Sequence, residues 1–423
     1  MDFENNPQLY LSTVLNFLEK YSWIYTSSNT NFIRDKIIDS FPKSWTTYFQ
    51  SLSLEELNRF PLTSPLSSKQ PETLQNFCSE ILSFKRHYKQ DPFTEKDIYF
   101  KKMSPKKLHE ISRLSYLIES VCKTDEALVD FGSGLGYLSE ILYKKRRWKI
   151  LGLECDEERV RVARERQQKF YPESKGDIIY KTEFISERSA ENIEEYLEEI
   201  STELPISIIG LHSCADLTVT SIKLFLEMKR VKNLIVMPCC YHKLKLKGNA
   251  KCEFENFPLS KQLKDLYKGN FLNRPFLRLA CQETASRWSL MTAEEHLTHS
   301  RNMFQRAALE VLLKEGESFR KRKGDFSEIT EVYDIHCEDL EQFQDNYRDL
   351  LKKFGDTEFS AEVLTCLQAT IQSICEDLVL NDRILYIKEM AEEIGVSVNV
   401  RLRKIVDDSL SPRCFALVAQ KVC

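Results

Sequence analysis

A chain of 423 residues with 42% apolar, 29% charged and 11% aromatic residues can bury a sizeable core and fill two or three domains, which excludes disordered and fibrous classes. Its net charge of −4 gives no overall pull on nucleic acid, so RNA binding would need a local basic patch. Its thirteen cysteines, with no C-x-x-C pair, favour a reducing compartment. The absence of a leader-like start or an apolar run of spanning length predicts a cytoplasmic or nuclear protein with no membrane partner.

Residues 1–100 read as an all-helical lobe. Leu9, Leu11, Val14, Leu15 and Leu18 form one helical stripe, and Phe32, Ile33, Ile37, Ile38 and Phe41 a second that ends at Pro42. Trp45, Tyr48 and Phe49 begin a third, Leu54–Phe60 a fourth, and Pro71 opens a fifth running through Phe84. A helix then starts at Ser104-Pro105, with Ser104 as N-cap, and leads straight to the first strand. That route places Lys106, Lys107 and His109 near whatever the first strand holds.

From residue 127 the pattern is βαβα, which implies a parallel sheet with right-handed crossovers. Strands are expected at 127–131, 148–154, 177–184, 205–211 and 232–238, with helices at 137–146, 156–170, 189–200 and 216–229. Gly132-Ser-Gly-Leu-Gly136 follows the first strand, in a chain whose first 131 residues contain no glycine. Such a turn lets backbone adopt φ > 0 and approach a ligand closely, ahead of a helix N-terminus. The third glycine comes one place too early for a dinucleotide fingerprint, and Tyr137 follows it. Asp130 precedes the turn, where it would repel a pyrophosphate but could hold an ammonium group. Glu154 ends the second strand, where a carboxylate accepts ribose hydroxyls. Asp130, Gly132, Ser133, Gly134, Gly136, Tyr137 and Glu154, with Lys107 and His109 alongside, therefore fit S-adenosylmethionine better than NAD. Arg159, Arg161, Arg164 and Arg166 in the helix at 156–170 read as a solvated face.

Gly210-Leu-His-Ser-Cys-Ala-Asp216 follows the fourth strand and Met237-Pro-Cys-Cys-Tyr-His242 the fifth. In an open α/β sheet these strand ends meet at one cleft. His212 and Asp216 would position the cofactor while Cys239, Cys240 and His242 line the acceptor pocket. Two other readings stay open: a metal site drawn from His212, Cys214, Cys239, Cys240 and His242, or a cysteine nucleophile at Cys239. Adjacent cysteines chelate one tetrahedral ion poorly, so no metal is expected. Beyond 256 come helical segments, including a long helix at 293–315 opened by the capping box Thr292-x-x-Glu295, others at 338–353, 360–380 and 386–394, and a hairpin of 396–405 with 414–422.

Asp130-Phe-Gly-Ser-Gly-Leu-Gly-Tyr-Leu138, Gly210-Leu-His-Ser-Cys-Ala-Asp-Leu217 and Pro238-Cys-Cys-Tyr-His242 together resemble the methyltransferase-like protein 25 family, which includes proteins described as ribosomal RNA adenine dimethylase domain-containing. The resemblance implies a class I S-adenosylmethionine-dependent methyltransferase with strand order 3-2-1-4-5-7-6. It places Asp130, the three glycines and Glu154 on the cofactor. Two departures stand out. Ala215 occupies a position where glycine is more usual, and Leu211-His-Ser-Cys214 replaces the Asn/Asp-Pro-Pro-aromatic turn of enzymes that methylate base amino groups. The expected architecture is an α/β methyltransferase domain over 101–423 behind the helical lobe, with core 125–240, helical insertion about 256–394 and closing hairpin 396–422. The acceptor would be a macromolecule. Basic residues at 144–149, 243–247 and 296–306 leave RNA or a ribonucleoprotein open. The alternative is a catalytically inactive fold that binds partners.

Overall fold

The computed structural model describes residues 3, 5–84, 88, 103–200, 203–250, 252–282, 284–313, 320–321, 333–334 and 340–422. Five parallel strands come first: β1 (Ala127–Phe131), β2 (Lys149–Glu154), β3 (Ile178–Thr182), β4 (Ile206–Cys214) and β5 (Val231–Cys239). Two antiparallel strands, β6 (Val398–Lys404) and β7 (Phe415–Lys421), complete the sheet in the order β3-β2-β1-β4-β5-β7-β6. This is the order implied by the resemblance, with the terminal hairpin closing one edge.

The strands read as nearly unbroken apolar runs because helices cover a parallel sheet on both faces. Every residue of β1 is buried. α1 (Pro105–Val121) and α2 (Tyr137–Arg146) pack Ile111, Leu114, Ile118 and Leu138 into one core with Leu128, Ile150, Ile209 and Met237. α3 (Glu157–Phe170), α4 (Ala190–Glu198) and α5 (Asp216–Glu227) supply the crossovers. Ser104 caps α1 by accepting from the Lys107 N–H, as its sequence predicts.

β4 is longer than expected. Its pairing with β5 jumps from Gly210↔Val236 to Ser213↔Pro238, so Leu211 and His212 together face one residue, Met237. A bulge of this kind re-aims the side chains it carries. His212 and Cys214 consequently lie within the strand and not in a loop beyond it.

Packing divides the chain into two compact units: Met1–Asn16, Lys85–Thr284 and Ser373–Cys423 in one, Phe17–Phe84 and Ala285–Gln372 in the other. None of the four boundaries between them falls at residue 100. The physical reason is long-range packing, which periodicity does not encode: in the second unit the Trp288 indole donates to the Leu57 carbonyl and the Asn58 amide to that of Met291. Phe77 sits there among Phe17, Tyr21 and Trp45. The capping box at Thr292 and Glu295 forms as read.

Three expectations fail. The stripe Phe32–Phe41 makes only short 3₁₀ turns, at Asn29–Asn31 and Ile37–Ser40, because Lys36 turns left-handed at φ 53°. The helices expected at 360–380 and 386–394 are one helix, α6 (Glu358–Glu393), since Asn381–Leu385 contains neither glycine nor proline to end it. α6 also overturns the expectation that no segment has spanning length and polarity: an 18-residue window has mean hydropathy 1.3, but 89% of that window is buried in protein.

Gly152 and Gly136 are fixed by one ring. A Cβ at Gly152 would lie 2.4 Å from Tyr180 Cδ1, and at Gly136, where φ is +78°, 2.4 Å from Tyr180 Oη. Overpacking of this kind costs about 1–3 kcal/mol. Gly152→Ala is therefore expected to lower urea-unfolding stability by that amount. Combined with Tyr180→Leu, it should cost less than the sum of the two single losses. Strict additivity would show that the ring is not the obstacle.

Candidate functional site

The turn after β1 is held by backbone donors. Gly132 and Ser133 N–H groups both reach the Leu153 carbonyl, at 2.9 and 3.0 Å, and the Gly134 N–H donates to Glu154 Oε2 at 3.1 Å. All three glycines have φ between 57° and 78°, a region L-residues rarely enter. The loop thereby leaves the ends of the adjacent strands β1 and β2 on one cavity of about 1330 Å³.

Asp130 and Glu154 both line that cavity. Asp130 is fully buried. Removal from water pushes its carboxyl up to about 7, the Ser139 hydroxyl bonded to it at 3.0 Å pulls the other way, and the Glu154 charge adds to the rise. Glu154 is 5% exposed. Its Oε1 accepts from the Asp156 N–H at 3.2 Å and from the Cys155 thiol at 3.4 Å, while Oε2 takes the Gly134 N–H and keeps a further lone pair. Tyr137 and Lys107 line the same wall, with Lys107 Nζ 4.2 Å from the Tyr137 ring centre. Burial, and then the neighbouring Arg166 charge, hold the Lys107 ammonium below its usual range.

On the β4 side His212 and Asp216 also line the cavity. His212 Nε2 lies 3.4 Å from Glu110 Oε2, and its Nδ1 is buried with no partner among the described residues. Glu110 is 2% exposed and accepts from the Ser411 hydroxyl at 2.6 Å. Burial opposes its ionisation, yet the bonds from His212 and Ser411 outweigh that and keep its carboxyl below the usual value. Asp216 accepts from the Lys245 N–H at 3.0 Å and the Asn256 amide at 2.8 Å, so it ties down the loop that follows β5. Ala215, just before it, has φ 49° and ψ −119°. That left-handed backbone favours glycine, which gives the departure at this position a physical meaning.

The remaining expected residues lie elsewhere. His109 accepts from the Asp407 N–H at 3.3 Å and is not on the cavity wall; neither is Gly136. His242 sits off the cavity with Nδ1 3.2 Å from Cys281 Sγ, and burial followed by the Arg278 charge lowers its ring below the usual range. Cys239 and Cys240 are also off the wall, whereas Cys214 is on it. The arginines of α3 are not one solvated face. Arg166 makes two hydrogen bonds to the buried carboxylate of Glu140 and lies 3.9 Å from the Tyr137 ring centre, and Arg159 lines the cavity. A charge run read by periodicity cannot distinguish such a buried clamp from surface.

Sequence reasoning missed Glu110, Phe184 and Asn256. Phe184 is 80% exposed yet lines the cavity just beyond β3. The rule that ligands sit past the carboxyl ends of parallel strands, applied to the third strand as well, would have found it.

Residues 106–247 match the family described as a methyltransferase domain. The chain is 27% identical over 266 residues to a probable methyltransferase-like protein 25 of Mus musculus, which covers 57% of the chain and 40% of that protein. The Homo sapiens protein of the same description is 27% identical over 249 residues, 51% of the chain and 36% of the relative. The chain thus spans well under half the length of these relatives. Among solved structures it resembles the 23S rRNA methyltransferase ErmE (15% identity, TM-score 0.23, 45% of this chain and 87% of that one) and a coclaurine N-methyltransferase bound to N-methylheliamine and SAH (11% identity, TM-score 0.26, 100% and 95%). At such scores the overlays carry no weight for function. Residues 106–247 are thus similar to methyltransferase domains, and the sheet around them has the strand order that the resemblance implied.

A carboxyl whose folded pKa is raised adds stability below its unfolded value, and that stability is lost as pH rises through the folded one. For Asp130 the loss falls between about 4 and about 7, and is of order a few kcal/mol at most. Thermal unfolding of Asp130→Asn should therefore gain on the wild type as pH rises from about 5 to about 8. A melting difference that stays flat over that range would contradict the buried carboxyl.

Proposed function

We propose that this chain transfers the methyl group of S-adenosylmethionine to an acceptor that enters the open side of the cavity. One observation carries the reading: two buried carboxylates, Asp130 and Glu154, end adjacent strands on one cavity with a close-approach glycine turn between them. The residues present fit this cofactor. Gly134 leaves the floor of the turn open, since a Cβ there would meet nothing nearer than the Gly132 carbonyl at 4.0 Å. The Ser133 hydroxyl is buried with no partner among the described residues, so it is available to a ligand.

Glu154 would accept a ribose hydroxyl through the free lone pair of Oε2, Asp130 would face the ammonium end, and Lys107 the carboxylate. Phe184 offers an aromatic face to the base. The cofactor, when bound, supplies a methyl group on a sulfonium that a nucleophile takes by in-line displacement. The chain's own part is alignment and exclusion of water. His212 is the one histidine of the site on the cavity wall; with its Nε2–H turned to the Glu110 carboxylate, Nδ1 is the nitrogen left to accept a proton, and Glu110 gives the resulting imidazolium a counter-charge. The volume of about 1330 Å³ exceeds the ~300–1,000 Å³ of an ordinary small-molecule site, which leaves room for a second reactant.

The basic runs that left RNA open are largely met by carboxylates. Lys145 and Arg146 hold Glu119 at 2.9 Å each, Lys149 holds Asp177 at 2.8 Å, and Lys245 holds Glu255 at 2.9 Å. His296 and His299, in the second unit, both face Glu362. The acceptor is accordingly sought in RNA and protein alike.

Incubating the full chain with S-[methyl-³H]adenosylmethionine and fractionated cellular RNA and protein should label one fraction. Glu154→Gln keeps an acceptor for Gly134 but loses a charged hydrogen bond worth about 1.5–3 kcal/mol, so KM for the cofactor should rise tenfold or more. Equal labelling with that variant would refute the assignment of Glu154. No labelling in any fraction, with no cofactor binding, would favour a non-catalytic partner-binding fold.

A further inference from the structure

Cys214 and Cys239 end β4 and β5 and stand opposite each other in register. Their sulfurs are 3.0 Å apart. In a strand, the next residue after Cys239 would point to the other face of the sheet. Cys240 instead turns left-handed at φ 53°, and its sulfur comes back to the same side. All three sulfurs then lie within 4.8 Å of one another, against the ~3.8 Å edge of a tetrahedron of thiolates bound at 2.3 Å. Adjacent cysteines chelate one tetrahedral ion poorly in extended chain, and the turn at Cys240 brings this pair to the same side.

The arrangement is built and held. Ala215 follows Cys214 with its own left-handed φ of 49° and donates its N–H to the Cys239 carbonyl at 2.9 Å. Left-handed backbone at a non-glycine residue costs of order 1–3 kcal/mol and persists only where the surroundings impose it. Here Tyr241, next to Cys240, donates its hydroxyl to Glu376 at 3.3 Å and has the Arg383 guanidinium 5.2 Å from its ring centre. The Arg413 side chain, from the segment between β6 and β7, faces Cys239 and Cys240.

We propose that Cys214, Cys239 and Cys240 form a zinc site at the ends of β4 and β5, with a fourth position left to water or to a donor from the cavity. Charge selects the ion. Three thiolates around Zn²⁺ carry a net charge of −1, which the Arg413 guanidinium balances, whereas a monovalent soft ion would leave −2. Three protein ligands with one exchangeable position is the ligand count of reactive zinc centres and not of purely structural ones. No fourth histidine, cysteine or carboxylate joins the group among the described residues, and Cys214 is itself on the cavity wall. Binding releases the thiol protons. The inference does not rest on the methyl-transfer reading.

The test uses the full chain purified anaerobically with reductant from zinc-supplemented medium. Elemental analysis should give about one zinc per chain, lost in Cys214→Ser and in Cys240→Ser but kept in Cys252→Ser, an exposed cysteine outside the cluster. Cobalt(II) added to the metal-free protein should produce a sulfur-to-cobalt charge-transfer band in the near ultraviolet. Where a serine variant fails to fold, wild-type alkylation decides: zinc should slow iodoacetamide modification of Cys214 and Cys240 and leave Cys252 unchanged. Cobalt without that band, alkylation indifferent to zinc, or a Cys214–Cys239 disulfide in the protein as isolated would each overturn the site.

Discussion

The structure depends on a short set of hydrogen bonds that fasten the turn after β1 to the end of β2. Leu153 offers one carbonyl to two successive N–H groups, and Glu154 takes the next through its side chain. Glycine adopts the left-handed backbone angles of this turn at the least cost, and Tyr180 fills the space where side chains at 136 and 152 would go. Ring, turn and carboxylate therefore constrain one another. The same bonds that close the turn hold Glu154 at the cavity, so a residue with a structural duty is also poised to bind.

The second constraint lies across the sheet. The bulge at Leu211–His212 shifts the register between β4 and β5 and re-aims His212 at the cavity wall. Asp216 then anchors the loop after β5 by two hydrogen bonds. Asp382, buried in α6, accepts from the N–H groups of Leu259 and Ser260 and from the Ser260 hydroxyl. The segment beyond the fifth strand is thus fixed from both sides, which is what holds left-handed residues such as Ala215 and Cys240 in place.

How much of this was legible in the chain follows from which signals are local. β1, its turn and α2 were read to the residue, because an apolar run, a glycine cluster and a helix start are written consecutively. The closing hairpin was legible for the same reason. Glu110 was not: within α1 it looks like any polar helix position, and its partners His212 and Ser411 are brought to it only by the fold. Arg166 misled for a related reason, since the clamp on Glu140 is a packing fact invisible to charge spacing. The compact units join segments far apart in sequence, a pairing that no local signal encodes. The cysteine cluster needed one backbone angle, at Cys240, that composition does not reveal.

The central proposal is that the hollow lined by Asp130 and Glu154 receives a sulfonium nucleoside. Isothermal titration of the full chain with S-adenosylhomocysteine, and with NADH in parallel, tests this without any knowledge of the acceptor. Saturable heat is expected for S-adenosylhomocysteine at one site per chain, and none for NADH. A folded protein that gives no heat with S-adenosylhomocysteine up to millimolar concentration, or that binds NADH instead, would contradict it.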